Sequence, residues 1–384
     1  MKHLRLLPAI LVLLLTAMQS QAQSLVELYN AAKKYDATYL SAVAQYEANR
    51  ARADQALAGV LPRAALTAST QRTGVDVEPF GTGANTSAAT SPYTRYFSTH
   101  ATTLSASQPL YNPANRLFYE QSRKQLAQAV QALVSAEQDL LIKTSQAYFD
   151  VLGSQDSLSF VKAQKAAVSE QLAAAKRNFE VGTATITDAN DAQARHDLAV
   201  SQEIGAQNDL EVKKQAMRQI IGSVPPALAK ISRGFAPQLP APSDMEAWVQ
   251  QSAGACAQIK VAQLTLDVAT QEVSKNRGGH LPTLDAVASY ADAAQGAGIQ
   301  GGVGFDSTTR YIGLQLAVPI YQGGLVNSKI REALANQEKA RQDLENARRA
   351  VAQNTRAAYL GVTSGVAQIK ALRSEEHTSE LQSH

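Results

Sequence analysis

Apolar positions recur along this chain with two different periods, and the change of period happens twice in the same order. Leu25, Leu28, Ala31 and Ala32 fall at helical spacing, so Gln23 to Gly59 reads as a helix that Pro62 stops. Ala64 to Thr70 and Tyr96 to Gln108 read as strands. Between them a Gly/Asn/Ser/Thr-rich stretch, Thr73 to Pro92, reads as an exposed loop. The period then turns helical for a long way. From Asn115 to Glu180 there is no proline and Gly153 is the only glycine. At 1.5 Å per residue, such a helix would be a rod of about 100 Å. Leu126, Leu133, Leu140 and Ala147 recur every seven residues, the spacing of a coiled-coil seam. Gly182-Thr183 interrupts the pattern, and a second helix is expected from about Thr187 to Ile221, giving an antiparallel hairpin with its tip at Val181 to Asp188.

The same succession then returns. Leu284, Ala286, Ala288 and Tyr290 alternate with Asp285, Val287 and Ser289. After a glycine-rich stretch from Gly296 to Gly304, Ile312, Leu314, Leu316 and Val318 alternate with Tyr311, Gly313, Gln315 and Ala317. Period-two alternation puts one set toward an apolar medium and the other toward water or small packing residues. The punctuation repeats as well. Ser24-Leu25-Val26-Glu27 and Ser243-Asp244-Met245-Glu246 both fit a capping box. Leu61-Pro62 and Leu281-Pro282 end helices, Pro109-Leu110-Tyr111 and Pro319-Ile320-Tyr321 close strand pairs, and Ala147-Tyr148 recurs as Ala358-Tyr359. All four pairs are offset by about 210 to 220 residues, which points to one duplicated unit. The expected layout is a first repeat over 23–242 and a second over 243–372. In the first, strands occupy about 62–108, a helical hairpin about 113–221 and a Pro-rich linker 224–242. In the second, strands occupy about 281–319 and a long helix starts near 325.

Residues 1–22 read as a secretory signal peptide: Lys2, His3 and Arg5, an apolar run from Leu6 to Leu15, and the small-x-small site Ser20-Gln21-Ala22. No later run of about 18 apolar residues remains, so a membrane-embedded form would have to be a closed β-barrel. Four strands cannot close one, since the smallest membrane barrels have about eight, and oligomerisation is therefore expected. The net charge of +3 comes with no basic stripe interleaved with aromatics, which argues against nucleic acid. Cys256, the single cysteine, reads as a small packing residue. His100, His196 and His280 lack metal-site spacing, the 296–304 stretch lacks a phosphate-loop lysine, and no Ser/His/Asp arrangement stands out. Trp248 reads as a packing residue. Neither an enzyme nor a cofactor or metal is expected.

Several motifs resemble a known family. Gly279 to Asp285 (GHLPTLD) and Val318 to Ser328 (VPIYQGGLVNS) are similar to two signatures of the TolC-like outer-membrane efflux proteins. Phe179 to Asp188 (FEVGTATITD) resembles that family's first hairpin tip; Ala147 to Leu152 and Arg218 to Gly222 match as well. The resemblance runs from Ser24 to about Leu372. It implies a mainly α protein with membrane strands: a homotrimer whose protomers each give four strands to a twelve-stranded outer-membrane barrel, continued by a periplasmic α-helical barrel. The implied function is a passive exit duct of a tripartite efflux pump or type I secretion system, with a periplasmic adaptor and an inner-membrane transporter as partners. By position, Val181, Gly182 and Thr183 match the adaptor-docking tip, although Gly182 also suits a plain helix terminator. Thr187 and Asp188 match a periplasmic gate, although either is a competent helix cap. Leu61, Pro62, Pro109, Tyr111, Leu281, Pro282, Pro319, Tyr321, Gly323 and Gly324 mark strands and strand–helix junctions. A periplasmic adaptor and a structural coiled-coil protein are the alternatives.

The second repeat departs from the family. Only thirteen residues follow Tyr359 before Arg373, so no second Gly-Thr tip is present. The last twelve, Arg373 to His384, abandon the apolar periodicity and read as the translation of a sequencing-library adapter. The expectation is that the native frame continues from Leu372 into a second tip. Assembly is expected to need that continuation, because the helix after Asn327 otherwise leaves its seam exposed.

Overall fold

The computed structural model describes residues 23–78, 92–223, 227–232, 235–297 and 303–382, with side chains as far as Arg373. The expected signal peptide, most of the first inter-strand loop, the centre of the glycine-rich loop and the side chains of the tail lie outside the described residues. The elements are α1 (Leu25–Tyr35), α2 (Ala37–Ala58), β1 (Arg63–Val77), β2 (Tyr93–Tyr111), α3 (Pro113–Glu180), α4 (Ile186–Ile221), α5 (Met245–Ala255), α6 (Ala257–Arg277), a 3₁₀ turn (Gly278–His280), β3 (Thr283–Gln295), β4 (Phe305–Ala317) and α7 (Leu325–Gln382). Two helices, a strand pair and a long helix thus occur twice.

The chain forms two compact units. The first holds Glu47–Ala129 and Ile259–Val351, and with them the whole sheet. Its strands run antiparallel in the order β1-β2-β3-β4. Pairing is continuous from Arg63↔Ser107 to Val77↔Tyr93 and from Thr283↔Ala317 to Gln295↔Phe305. The β2–β3 ladder is interrupted between Pro109 and Tyr111, where proline has no N–H to give. The strands are 15, 19, 13 and 13 residues long, longer than the alternation alone predicts. Gln71 to Val77 and Tyr93 to Thr99 carry no clean apolar alternation. They belong to the sheet because the ladder continues through their backbone, helped by β-branched Thr and Val.

Junctions in this unit are fixed by side-chain amides. Gln108 Nε2 donates to the Val60 carbonyl at 3.0 Å, and Asn115 Nδ2 to the Gly59 carbonyl at 2.8 Å. Where α3 leaves the sheet, it meets α6 through a polar seam. Gln121, buried, donates to Glu272 at 2.8 Å, Gln271 to Glu120 at 3.1 Å and Gln128 to Thr265 at 2.9 Å. Buried positions on α7 keep a seven-residue spacing: Val326, Ala333 and Ala340, then Leu344 and Val351.

The second unit joins the described part of residues 1–46 to Val130–Gln258 and the chain from Ala352. Its core is Leu28 and Ala32 of α1, Leu140, Tyr148, Val151, Leu152 and Leu158 of α3, Leu210, Met217, Ile220 and Ile221 of α4, and Leu228. Gly222 ends α4 with φ +80°, and the Tyr35 ring would lie 2.7 Å from a Cβ there, so only glycine fits. The recurring tyrosines share a job. The Tyr148 hydroxyl donates to the Ala229 carbonyl, and Tyr359 donates to the Ser243 carbonyl at 2.6 Å. Each ties a long helix to the irregular segment beside it.

Three readings of the sequence need correction. The helix expected over 23–59 is two helices, broken at Asp36, where the backbone turns extended. Asp36 is buried, and its carboxylate accepts from the Tyr39 N–H at 2.9 Å and from Lys143 Nζ at 2.7 Å. Burial alone would raise its pKa, but the hydrogen bonds from Lys143 and the backbone outweigh it and hold the carboxyl below its ordinary value. Cys256 makes the equivalent break between α5 and α6. Ser243 does not form the second capping box. Asp244 caps α5 by accepting from the Glu246 N–H at 3.0 Å, and Glu246 instead takes a bidentate pair from Arg356 at 2.9 and 3.0 Å. Neither Thr187 nor Asp188 caps α4; that place is held by Thr185.

Candidate functional site: the sheet edges and the hairpin tip

No side chain of the four-stranded sheet is buried. Register places Leu66, Leu104, Ala106, Leu284, Ala286, Ala288, Ile312, Leu314 and Leu316 on one face. Thr67, Ser69, Thr103, Ser105, Ser289, Thr309 and Gln315 lie on the other, together with Val287 and Tyr311. The apolar face is open: Ile312 is 87% exposed and Leu314 69%. The outer edges of β1 and β4 have no strand beside them among the described residues. Such a sheet is complete only when its edges pair and its apolar face meets an apolar medium.

The junction motifs lie where chain leaves and enters this sheet. Leu61 and Pro62 immediately precede β1, and Leu281 and Pro282 precede β3; proline keeps the preceding residue extended and out of the helix. Pro109 and Tyr111 bracket the irregularity at the end of β2. Pro319 and Tyr321 follow β4, with Tyr321 and Ile320 almost fully exposed. Gly323 and Gly324 have φ +60° and +81°, and this left-handed pair turns the chain into α7.

At the other candidate site, α3 ends in an αL turn. Gly182 has φ +78°, and the N–H groups of Thr183 and Ala184 both donate to the Asn178 carbonyl, at 2.8 and 3.2 Å. Thr185 opens α4 with a reciprocal box: the Asp188 N–H donates to Thr185 Oγ1 at 3.2 Å, and the Thr185 N–H to Asp188 Oδ2 at 2.9 Å. These bonds from Thr185, backbone first, hold the Asp188 carboxyl below its ordinary pKa. A Cβ on Gly182 would meet nothing within 4 Å. Val181, 71% exposed, and the exposed Phe179 and Ile186 are three large apolar residues open to solvent around the tip. Thr183 and Thr187 are exposed. Beside the tip, an open groove of about 290 Å³ runs between Val168, Gln171 and Ala175 on α3 and Asp188, Asp191, Ala192 and Arg195 on α4.

The fold therefore brings Val181, Gly182, Thr183, Thr187 and Asp188 into one turn, and sets the junction residues at the sheet. Sequence reasoning missed Thr185, whose signal was the T-x-x-D spacing, and the apolar trio, whose signal was three large residues flanking a glycine turn.

The comparisons agree with this architecture. The family model described as outer membrane efflux protein matches residues 28–223 and 248–382. The outer membrane protein TolC of Vibrio cholerae is 31% identical over 353 residues, covering 91% of this chain and 77% of that protein. The alkaline protease secretion protein AprF of Pseudomonas aeruginosa is 28% identical over 364 residues, covering 94% and 74%. Other relatives are matched over about half of their own length. The solved outer membrane channel CmeC of Campylobacter jejuni has the same fold, with a TM-score of 0.77 at 17% identity, covering 93% of this chain and 74% of that one. Two open-edged hairpins between long helices, matched by the family model over both repeats, leave one assignment: the chain belongs to the outer membrane efflux protein family.

Proposed function

We propose that this chain is one protomer of a passive exit duct in the outer membrane. Three copies pair edge to edge into a twelve-stranded barrel, and their helices continue it into the periplasm. The observation that carries this reading is a four-stranded sheet with two open edges, an exposed apolar face and a polar opposite face. That pattern suits lipid outside and an aqueous lumen inside. The duct performs no covalent step, and transport energy comes from an inner-membrane transporter reached through a periplasmic adaptor. The names of the relatives support both efflux and protein secretion as its service. The two repeats, 23–242 and 243–372, each supply one strand pair and one long helix.

The tip at Val181, Gly182 and Thr183 is the adaptor's landing point. Its support is the three exposed apolar residues around it, Phe179, Val181 and Ile186, and the empty space over Gly182, where another helix can approach the backbone. Thr187 and Asp188 help hold the periplasmic end closed by bonding to neighbouring helices of the assembled duct. An exposed hydroxyl and a carboxylate that stays charged at neutral pH support that role.

The test is reconstitution of the protein into lipid vesicles. A trimer that resists detergent in the cold and falls to monomer on boiling is expected. A monomer under both conditions would overturn the reading. Gly182→Asn, which tolerates the turn, should keep the trimer but abolish adaptor cross-linking.

A further inference from the structure

Resting on the barrel reading, a cation at the rim of the apolar band on the lipid-facing side of the sheet, Arg310, has no place in the duct's own work; Arg72, on the same face, lies three rows farther out. Cross-strand register sets Leu66, Leu104, Tyr290 and Arg310 in a single row on the apolar face. Three rows lie between this one and the helices, ending at Tyr111, Leu284 and Leu316. Rows on one face are about 6.8 Å apart along a strand, so the band measures about 20 Å to the row of Arg310. The row beyond it, Ala68, Thr102, Asp292 and Thr308, is polar on three strands. Arg310 thus stands at the outer rim of the lipid-facing band, on the side of the inter-strand loops. Its guanidinium carbon lies 5.3 Å from the centre of the Tyr290 ring.

Among the described residues Arg310 forms no ion pair. The nearest carboxylate on that face, Asp292, accepts a hydrogen bond from Thr308 Oγ1 at 3.0 Å. A guanidinium at the rim of an apolar band needs an anion at the same height. The group that a membrane offers there is a lipid phosphate, which an arginine can grip with two parallel N–H donors. The aromatic bed keeps the stem against the barrel wall and the fork turned toward the headgroups. We propose that Arg310, seated on Tyr290, is a binding site for the phosphate of an outer-leaflet lipid, one per protomer.

The test uses the protein in vesicles of three compositions: lipid A with both phosphates, the same lipid with its phosphates removed, and neutral lipid with inorganic phosphate added. Retained lipid is counted after detergent extraction of the cold-stable trimer. About three phosphorylated lipids per trimer are expected, with retention falling about fivefold on removal of the phosphates and by a similar factor in Arg310→Gln. Inorganic phosphate should not displace the lipid at equal concentration; if it does, the site binds free phosphate and the lipid assignment fails. Equal retention by wild type and Arg310→Gln in heat-modifiable trimers would overturn the site and leave the barrel standing. Failure of the wild type to give any heat-modifiable species would overturn the barrel reading and the site with it. Should Arg310→Gln alone fail to insert, the wild type's preference for the phosphorylated lipid decides: indifference to phosphate sinks the proposal.

Discussion

The sheet and the helical core that surrounds Leu140 are both regular and both extensive, yet they are stabilised in opposite ways. In the helical unit, α1, α3 and α4 enclose twelve buried apolar residues. In the sheet the backbone ladder is long and continuous, but no side chain is buried. A hydrogen-bond ladder with no buried face is marginal in water, because each bond replaces one to solvent. The helical unit carries its own hydrophobic driving force; the sheet must find its own in lipid and in neighbouring copies. One chain thus holds a part that folds before assembly and a part that folds through it.

Substitutions should separate the two. Leu140→Ala, in the middle of the helical core, is expected to cost about 2–5 kcal/mol and to lower the helical melting transition followed by circular dichroism. Lys143→Met leaves the Asp36 carboxylate buried without its cation. The expected cost is about 1–3 kcal/mol, below that of a fully buried pair because Lys143 is itself half exposed. The sign of its pH dependence follows from the lowered pKa of Asp36. The stabilisation is present above the ordinary carboxyl value of 3.8 and is lost as the pH falls through the lower folded-state value. Wild type and Lys143→Met should therefore differ above the ordinary carboxyl value of 3.8 and converge in urea titrations as the pH falls through the lower folded-state value of Asp36. Thr185→Ala removes the cap of α4 and should cost about 1 kcal/mol, read as fraying of the tip in amide exchange. In the sheet, Ile312→Ser should change stability in water by no more than about 0.5 kcal/mol, yet reduce insertion into vesicles. If Ile312→Ser destabilised the water-soluble form as much as Leu140→Ala, the contrast between the units would be lost.

The sequence made the helices easiest to see. A proline-free run with seven-residue spacing marked α3 and the Gly182-Thr183 break marked the start of α4, each within about two residues, and Leu-Pro pairs marked the starts of both strand hairpins. The strands were legible only where apolar and polar residues alternate. Their outer ends, Gln71 to Val77 and Tyr93 to Thr99, carry polar residues on both faces, and pairing rather than pattern makes them strand. The break at Asp36 has a local signal, an aspartate whose carboxylate accepts from the N–H three residues on, while the lysine that pairs with its other oxygen, Lys143, lies more than a hundred residues away. The same holds for Glu246: its local spacing promises a capping box, and a distant Arg356 claims its carboxylate. At the tip the glycine turn was legible. The cap was signalled by the T-x-x-D spacing of Thr185 and Asp188, but Thr187 and Asp188 also suit the role, and the backbone geometry selects Thr185.

The most direct measurement of the central claim is residue-resolved amide exchange on the protein in lipid, comparing the outer edges of β1 and β4 with the β2–β3 ladder. If copies pair edge to edge, the outward N–H groups of β1 and β4 should be protected as strongly as the central ladder, and should lose that protection when the trimer is dissociated. Edge amides that exchange at solvent rates in the lipid-inserted protein, beside a protected β2–β3 ladder, would contradict the account.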